Sequence, residues 1–317
     1  MDLQGIHHVT AVSARIRDNL RFYTGVIGLR LVKRSVNQDD VSAYHLFYAD
    51  AVGTPGTDLT FFDWNMRPER HGTHSIMRTA LRVNGAAALA WWADWLREHG
   101  VAAGPVVERD GRATLDFVDP EGLRLTLVDD GGAGPAPHPW DRSPVPAEHQ
   151  VRGLGPVAMS VPRLDPTDRI LRGFANMRRV REYAHPEDAR ATVVVYEMGS
   201  GGAHTELHVA VQPDAPVVRP GAGGVHHVAF RTPDVHEYDA WHRRLGEFGI
   251  PNSGPVDRFY FRSLYFREPN GVLFEIATDG PGFAVDEDPD RLGEKIALPP
   301  FLERQRAEIV ANLQPID

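Results

Sequence analysis

Two pairs of adjacent histidines occupy the same apolar setting towards opposite ends of the 317-residue chain. The segment GIHHVTAV begins at Gly5, and the segment GVHHVAF begins at Gly224. Both segments alternate as half-buried strands do, so neighbouring side chains point to opposite faces. One histidine of each pair therefore shares a face with its counterpart, and imidazole nitrogens gathered there could bind a metal ion or transfer protons.

A glutamate joins this set when the chain is aligned with itself. The segment EPNGVLFEIATD can be laid without a gap on the earlier segment DPEGLRLTLVDD. Glu275 then falls where Thr126 stands, and a count from Gly56 gives Thr60 at the corresponding position of the first repeat. A carboxylate between two large apolar residues is costly to bury unless it is paired or binds a cation. Glu275 is therefore a candidate metal ligand, with a buried ion pair as the alternative interpretation.

The predicted metal ligands are His8, His227 and Glu275. Across the repeats His8 aligns with His227, Arg78 and Pro156, so only the first and last copies can ligate. Two histidines and one carboxylate form the facial triad of non-haem Fe(II) oxygenases, which leaves coordination positions for substrate and O₂. Strict alternation directs the other two histidines, His7 and His226, away from the metal unless a β-bulge re-aims them.

The third copy is the weakest and offers a different set of side chains. A count from Gly202 places Glu206 at the position of Glu275, and His208 lies on the same face of that strand. Because the second and third copies lack a first-strand histidine, no second metal site is predicted there. These inner copies are expected to be structural.

The elements that position these residues form a fourfold internal repeat of strand, helix and further strands. The copies span residues 5–64, 74–130, 153–211 and 224–279. Residues 131–149 are rich in proline and glycine and mark a boundary between domains. The sequence predicts an α+β protein with domains at residues 1–135 and 150–280, followed by a tail at residues 281–317, in which the acidic run DEDPDR is expected to be solvated.

Composition excludes several classes of function. A formal net charge of -9 without a basic run argues against nucleic acid and anionic membranes as partners. No apolar segment approaches the roughly 18 residues of a spanning helix, and no leader pattern opens the chain, so a cytoplasmic location is expected. The absence of cysteine excludes disulfides and thiolate chemistry and leaves any metal to the 15 histidines and the carboxylates.

The chain resembles the ring-cleaving dioxygenases of the vicinal oxygen chelate superfamily, specifically the hydroquinone and chlorohydroquinone type. The resemblance covers nearly the whole chain and is carried by GIHHVTAV, LRLVKRSVN, YHLFYADAVGTPGTDLTFF, GVHHVAFRTPD, DRFYFRSLYFREPNGVLFEIATDGPGF and LGEKIALPPFLE. It implies four βαβββ modules in two half-barrel domains, with a single active site built by the first and fourth modules.

The resemblance also implies an activity and its residues. Fe(II) or Mn(II) would bind to His8, His227 and Glu275, and the substrates would be a small aromatic para-diol and O₂. Beside the metal ligands or the substrate it places His7, Thr10, His226, Arg258 and Tyr265. Arg258 would stabilise an anion because guanidinium does not deprotonate. Phe259 follows Arg258 where some chlorohydroquinone enzymes have glycine, which weakens any inference about ring substituents.

Two other functions remain open on the same fold. A glyoxalase-type isomerase or thiol transferase would need a fourth protein ligand at the position of Thr60. A non-enzymatic small-molecule binding protein would need no metal, and the intact ligand set argues against it. The sequence does not decide between Fe(II) and Mn(II), nor whether the chain forms a homo-oligomer.

Overall fold

Glycines in left-handed backbone conformations form the turn before the last strand of two repeats. Gly122 (φ 92°) and Gly271 (φ 89°) lie in the region that other residues avoid because their Cβ would meet the backbone. Gly122 N–H donates to the carbonyl of Asp119 at 3.0 Å, and Gly271 N–H donates to that of Glu268 at 2.7 Å. The gapless alignment of these two segments therefore reflects one turn geometry used twice.

The computed structural model describes residues 1–316 and contains, within that range, two curled sheets of eight strands each. Helices are few and cover one side of each sheet. This arrangement confirms the predicted α+β class and the two half-barrels. Among the described residues no helix is both long and apolar enough to cross a lipid bilayer.

Each module supplies strands and a helix in the predicted order. The first contains β1 Ile6–Ser13, α1 Ile16–Gly25, β2 Arg30–Asn37, β3 Asp40–Ala49 and β4 Asp58–Asp63. The second contains β5 Ser75–Val83, α2 Gly85–Glu98, β6 Ala103–Arg109, β7 Arg112–Val118 and β8 Arg124–Asp129. The third contains β9 Leu154–Val161, α3 Leu164–Arg169, β10 Arg178–His185, β11 Asp188–Glu197 and β12 Glu206–Val211. The fourth contains β13 Val225–Thr232, α4 Val235–Glu247, β14 Val256–Asp257, β15 Arg262–Arg267 and β16 Leu273–Thr278.

Strand order joins the outer modules in one sheet and the inner modules in the other. The first sheet runs β14-β15-β16-β13-β1-β4-β3-β2, and the second runs β10-β11-β12-β9-β5-β8-β7-β6. An antiparallel pair of strands lies at the centre of each sheet, β1 with β13 in the first and β5 with β9 in the second. The first strands of modules one and four are thus direct neighbours. The division of the sequence at residues 135 and 150 stays a prediction, since each sheet combines segments from both sides of it.

Alternation along the central strands separates a helix-covered face from a cavity face. Phe274 and Ile276 lie in the main hydrophobic core together with Trp241 of α4. Ala229 and Ala277 belong to a smaller apolar cluster on the opposite face. Glu275 stands between Phe274 and Ile276 and therefore projects to the cavity side of the sheet.

The C-terminal tail, which contains α5 Arg306–Asn312, is fastened to the first module through a buried lysine. Lys33 is fully buried, and its ammonium donates to the carbonyl of Phe283 at 2.9 Å and to Asp286 Oδ1 at 2.7 Å. It also pairs with Glu287 and lies 4.5 Å from the centroid of the Tyr260 ring. Asp286 and Glu287 of the acidic run are only partly solvated, because their carboxylates neutralise this buried charge.

Replacing Lys33 by methionine is expected to lower the free energy of unfolding by about 2–3 kcal/mol, since two carboxylates lose their partner near the core. The matched control is K295M, which changes an exposed lysine of the tail and should cost no more than about 0.5 kcal/mol. Urea denaturation followed by circular dichroism measures both values. Equal stability of the two variants would show that the tail is not held by Lys33.

Candidate metal centre

Three side chains of the outer half-barrel converge on one point. His8 Nε2 lies 3.2 Å from Glu275 Oε2, and His227 Nε2 lies 2.8 Å from the same oxygen. The two Nε2 atoms are 3.4 Å apart. All three residues are at most 3% exposed. The three residues predicted as ligands are therefore brought together, each with one donor atom within 4.8 Å of the others.

Strand register explains how residues so distant in sequence meet. Thr10 pairs with Thr60 between β1 and β4, and Ala229 pairs with Glu275 between β13 and β16. His8 and His227 each stand two residues before these positions. The antiparallel β1–β13 ladder brings the two histidine strands side by side, so their cavity faces coincide.

The carboxylate of Glu275 fits a bound cation. Both of its oxygens are buried, and neither has a hydrogen-bond donor in bonding geometry within residues 1–316. Burial alone would raise the pKa of this carboxyl, but His8 and His227 hold it well below its usual range. An ionised, buried carboxylate without hydrogen-bond donors, facing two imidazole nitrogens, is the donor set that a divalent transition metal binds.

His7 orients His8 through a chain of hydrogen bonds. His7 Nε2 lies 3.0 Å from the carbonyl oxygen of Thr278, so that nitrogen carries the proton and donates. Burial lowers the pKa of His7 to about 3, so the ring is neutral and its Nδ1 is an acceptor. His8 Nδ1, 2.9 Å away, must therefore be the donor. The lone pair of His8 is left on Nε2, which faces the centre.

His226 makes the equivalent contact on the other strand in a more open setting. His226 Nδ1 lies 2.8 Å from His227 Nδ1. The His226 ring itself is exposed at the mouth of the cleft, beside the rings of Phe62 and Trp64. Partial desolvation and the neighbouring His227 lower the pKa of His226. The two histidine pairs thus differ. Both ring nitrogens of His7 are hydrogen-bonded within the protein, whereas the ring of His226 is exposed to the cleft.

This difference predicts unequal effects of the same substitution. H7F removes the buried acceptor of His8 Nδ1 and should weaken Mn(II) or Fe(II) binding about 10–100-fold. H226F should weaken it less than about threefold, because water at the cleft mouth can accept from His227 Nδ1. Competitive chelator titration measures both constants. Equal losses in the two variants would contradict the tautomer argument.

A fifth histidine, His45 on β3, belongs to the site although the sequence did not single it out. His45 lines the cavity, and its Nε2 lies 2.9 Å from the hydroxyl of Thr60. That hydroxyl lies 2.8 Å from the hydroxyl of Thr10. Burial holds the pKa of His45 well below its usual range. The alternation of AYHLFYAD places His45 and Phe47 on one face of the strand, so the sequence could have predicted that His45 lines the cavity.

A cavity lies in front of His8 and His227, and its open space, including the solvent at its mouth, is about 470 Å³. Its walls combine aromatic rings with a few polar groups, which is the usual composition of a small-molecule site. The aromatic and imidazole members are His45, Phe47, Phe62, Tyr260, Phe261 and Tyr265. Aromatic walls of this kind favour contact with a flat ring.

Arg258 and Tyr265 form one unit at the edge of this cavity. Arg258 Nε donates to the hydroxyl of Tyr265 at 3.2 Å, and its Nη2 donates to Asp39 Oδ2 at 2.8 Å. Burial raises the pKa of Tyr265, so the phenol is neutral and its own proton is available to an acceptor. Tyr265 is also paired with Glu275 across β15 and β16, which sets it beside the metal centre.

Comparison with known proteins gives the family. The family model for the Glyoxalase/Bleomycin resistance protein/Dioxygenase superfamily matches residues 5–127 and 153–276. The chain belongs to this superfamily. The first matched segment contains modules one and two, and the second contains modules three and four. The family model therefore matches the chain twice, in agreement with the internal repeat.

Relatives within the superfamily narrow the class of enzyme. MhqA of Bacillus subtilis (strain 168), provisionally named a ring-cleaving dioxygenase, is 48% identical over 317 residues, the whole of both chains. A chlorohydroquinone/hydroquinone 1,2-dioxygenase of Sphingobium indicum is 29% identical over 330 residues, covering 98% of this chain and 96% of that protein. These names confirm the prediction of an enzyme of the dioxygenase type.

A solved structure supports the same assignment. The crystal structure of a provisionally named dioxygenase from Bacillus subtilis has a TM-score of 0.90 and 34% sequence identity, covering 99% of this chain and 98% of that chain. The fold of this superfamily member therefore extends over the full length, including the C-terminal tail that Lys33 fastens.

Phe259 occupies a conformation that suits glycine. Its φ of 70° lies in the left-handed region, which costs a bulky residue free energy. Asp257 Oδ1 accepts from its backbone N–H at 2.8 Å, and its ring packs on Tyr260. A glycine at this position would adopt the same backbone conformation without that cost.

Proposed function

We propose that the protein is a non-haem metal-dependent dioxygenase that opens the ring of a hydroquinone with O₂. The observation that carries the proposal is the convergence of His8, His227 and Glu275 on one buried point at the base of an aromatic cavity. The name of the Sphingobium indicum relative supports a para-diol as substrate.

The proposed roles follow from the hydrogen bonds of the site. Fe(II), or Mn(II), held by the three ligands would supply the redox centre that couples electron transfer from the ring to O₂. His7 fixes the tautomer of His8, and His226 supports His227 from the cleft side. With Nδ1 engaged, neutral His226 carries its proton on Nε2 and can donate it at the cleft.

Tyr265 and Arg258 are assigned to substrate orientation. A para-diol can direct only one hydroxyl at the metal centre, so the other hydroxyl needs a partner elsewhere in the cavity. Neutral Tyr265 can donate a hydrogen bond to a substrate oxygen while it accepts from Arg258. Asp39 holds the guanidinium in place and shares its charge. Thr10 acts through Thr60 and His45 on the cavity wall.

The proposed reaction breaks the carbon–carbon bond between a hydroxylated ring carbon and its unsubstituted neighbour. One oxygen atom joins the hydroxylated carbon, which becomes a carboxylic acid. The other joins the neighbour, which becomes an aldehyde. Both atoms of O₂ are thereby incorporated, and no external reductant is required.

Anaerobic reconstitution with Fe(II), followed by oxygen uptake with hydroquinone, tests the proposal. Uptake of one O₂ per ring with formation of an acid and an aldehyde is expected, and catechol serves as the ortho-diol comparison. The absence of oxygen uptake with every aromatic diol would refute the function.

The glyoxalase-type alternative finds no support at the fourth ligand position. Thr60 stands there, and its hydroxyl is engaged with Thr10 and His45. The hemithioacetal of methylglyoxal and glutathione, added to the metal-loaded protein, is the direct assay for that chemistry.

A further inference from the structure

The inner half-barrel contains a second cavity at the position that matches the metal centre. Ala80 pairs with Thr126 between β5 and β8, and Ala158 pairs with His208 between β9 and β12. These pairs correspond to Thr10 with Thr60 and Ala229 with Glu275 in the outer sheet. Arg78 and Pro156 therefore take the places of the metal-binding histidines. The open space there, including the solvent at its mouth, is about 430 Å³.

The side chains of this cavity do not suit a metal ion. Asp110, Glu206 and His208 have donor atoms within 4.8 Å of one another. Glu206, however, receives two hydrogen bonds of 2.7 Å from Arg112 and one of 2.9 Å from Arg181. Arg181 also binds both oxygens of Asp110. A dication would have to displace these guanidinium groups, which already neutralise the carboxylates.

The wall of the second cavity favours an anion. Arg78, Arg109 and Arg112 line it, and Asp110 is the one carboxylate among its lining residues within the described chain. Asp116 binds Arg109 through both oxygens, as Glu206 binds Arg112, and neither acid lines the cavity. Carboxylates outside the cavity hold these guanidinium groups in place. The groups are therefore preorganised to bind a carboxylate inside the cavity.

The floor of the cavity favours a flat apolar body. It consists of small side chains, namely Ala80, Val128, Pro156 and Ala158. Tyr183 and His208, joined by a 3.0 Å contact between the hydroxyl and Nδ1, form a polar edge. An apolar floor with a few polar groups at its edge is the usual composition of a small-molecule site.

We propose that the inner half-barrel binds a small monocarboxylate with a planar apolar body, its carboxylate on Arg78 and Arg109. Arg78 Nη1 is held by Asp116 and by the carbonyl of Leu125, both at 3.3 Å. Within residues 1–316 its Nη2 pairs only with the half-exposed Glu187, a pair that contributes little, so Nη2 can exchange that partner for the carboxylate of a ligand. Arg109 lines the cavity, and its Nε is a buried donor without a hydrogen-bond partner among the described residues. This site is separate from the proposed active site and does not depend on its function.

Isothermal titration calorimetry with benzoate tests the proposal, with benzamide as the neutral probe of the same shape. The metal-stripped protein should bind benzoate, and benzamide should bind about tenfold more weakly or not at all. R109Q should weaken benzoate about tenfold. A158L, which fills the floor without removing a charge, should also weaken it. R190Q alters an exposed arginine elsewhere and should leave the affinity unchanged.

The controls separate this site from the metal centre. E275Q should bind benzoate as the unaltered protein does. Loss of binding in E275Q would place benzoate at the metal centre and overturn the proposal. Equal affinity for benzoate and benzamide would also overturn it. So would an affinity for benzoate that is unchanged in both R109Q and A158L. If E275Q bound one equivalent of Mn(II), and replacing His208 as well abolished that binding, the inner half-barrel would hold a metal site instead.

Discussion

Replacing Glu275 by glutamine is expected to abolish metal binding and oxygen uptake while the fold is retained. The substitution keeps the size of the side chain but removes the negative charge that faces His8 Nε2 and His227 Nε2. Loss of a ligand should weaken the metal more than the 10–100-fold typical of a residue that merely supports one. Turnover with hydroquinone should fall at least about a thousandfold, since the remaining histidines give only two ligands.

Metal analysis after gel filtration, beside a circular dichroism spectrum, measures this result. The spectrum should show an unchanged fold, although the metal-free protein should lose some stability because His8 and His227 favour the ionised carboxylate. The matched control is E206Q, the same change at a fully buried glutamate of the inner half-barrel. That variant should keep its metal. Stoichiometric metal in E275Q would remove Glu275 from the ligand set.

The repeat of the chain made the outer site predictable. The gapless alignment of residues 119–130 with 268–279 works because both turns use a left-handed glycine and the same backbone hydrogen bond. Register then follows from the turn, so Glu275 could be matched to Thr126 and Thr60 without coordinates. The convergence of the first strands could not be read from spacing, because the antiparallel pairing of β1 with β13 is a long-range contact.

The third module shows where counting fails. The alignment from Gly202 predicted Glu206 as the counterpart of Glu275, but the register places His208 there. A 3₁₀ turn over Ala203–Thr205 inserts two residues between the glycine and the strand. This prediction was wrong for a local reason, namely a turn that differs from the one in the other copies.

Two further features of the structure, one strand and one ionic contact, could not be predicted from the sequence. Strand β6, AGPVVER, lies at the edge of its sheet and is exposed on both faces, so it lacks alternation. The contact of Lys33 with Asp286 and Glu287 joins residues more than 250 positions apart. A run of acidic residues is usually solvated, and nothing local distinguishes one that neutralises a buried lysine.

Replacing Glu206 by glutamine is expected to lower the free energy of unfolding by about 3 kcal/mol, without loss of metal. Glu206 is fully buried and accepts from Arg112, Arg181 and His208. Glutamine leaves two guanidinium groups facing a neutral amide, which also brings its own N–H donors towards them. The matched control is E187Q, the same change at a half-exposed partner of Arg78, which should cost no more than about 0.5 kcal/mol.

The pH dependence of this difference gives a second test. Burial opposes ionisation of Glu206, but His208 and Arg112 outweigh it and hold its pKa well below the usual range. A carboxyl with a lowered folded-state pKa stabilises the protein above its unfolded-state pKa, and this contribution fades as the pH falls towards the folded-state value. The gap between the unaltered protein and E206Q should therefore be full at neutral pH and narrow below about pH 4. Urea denaturation across this range measures the gap, and a constant gap would assign the loss to packing rather than to the charge of Glu206.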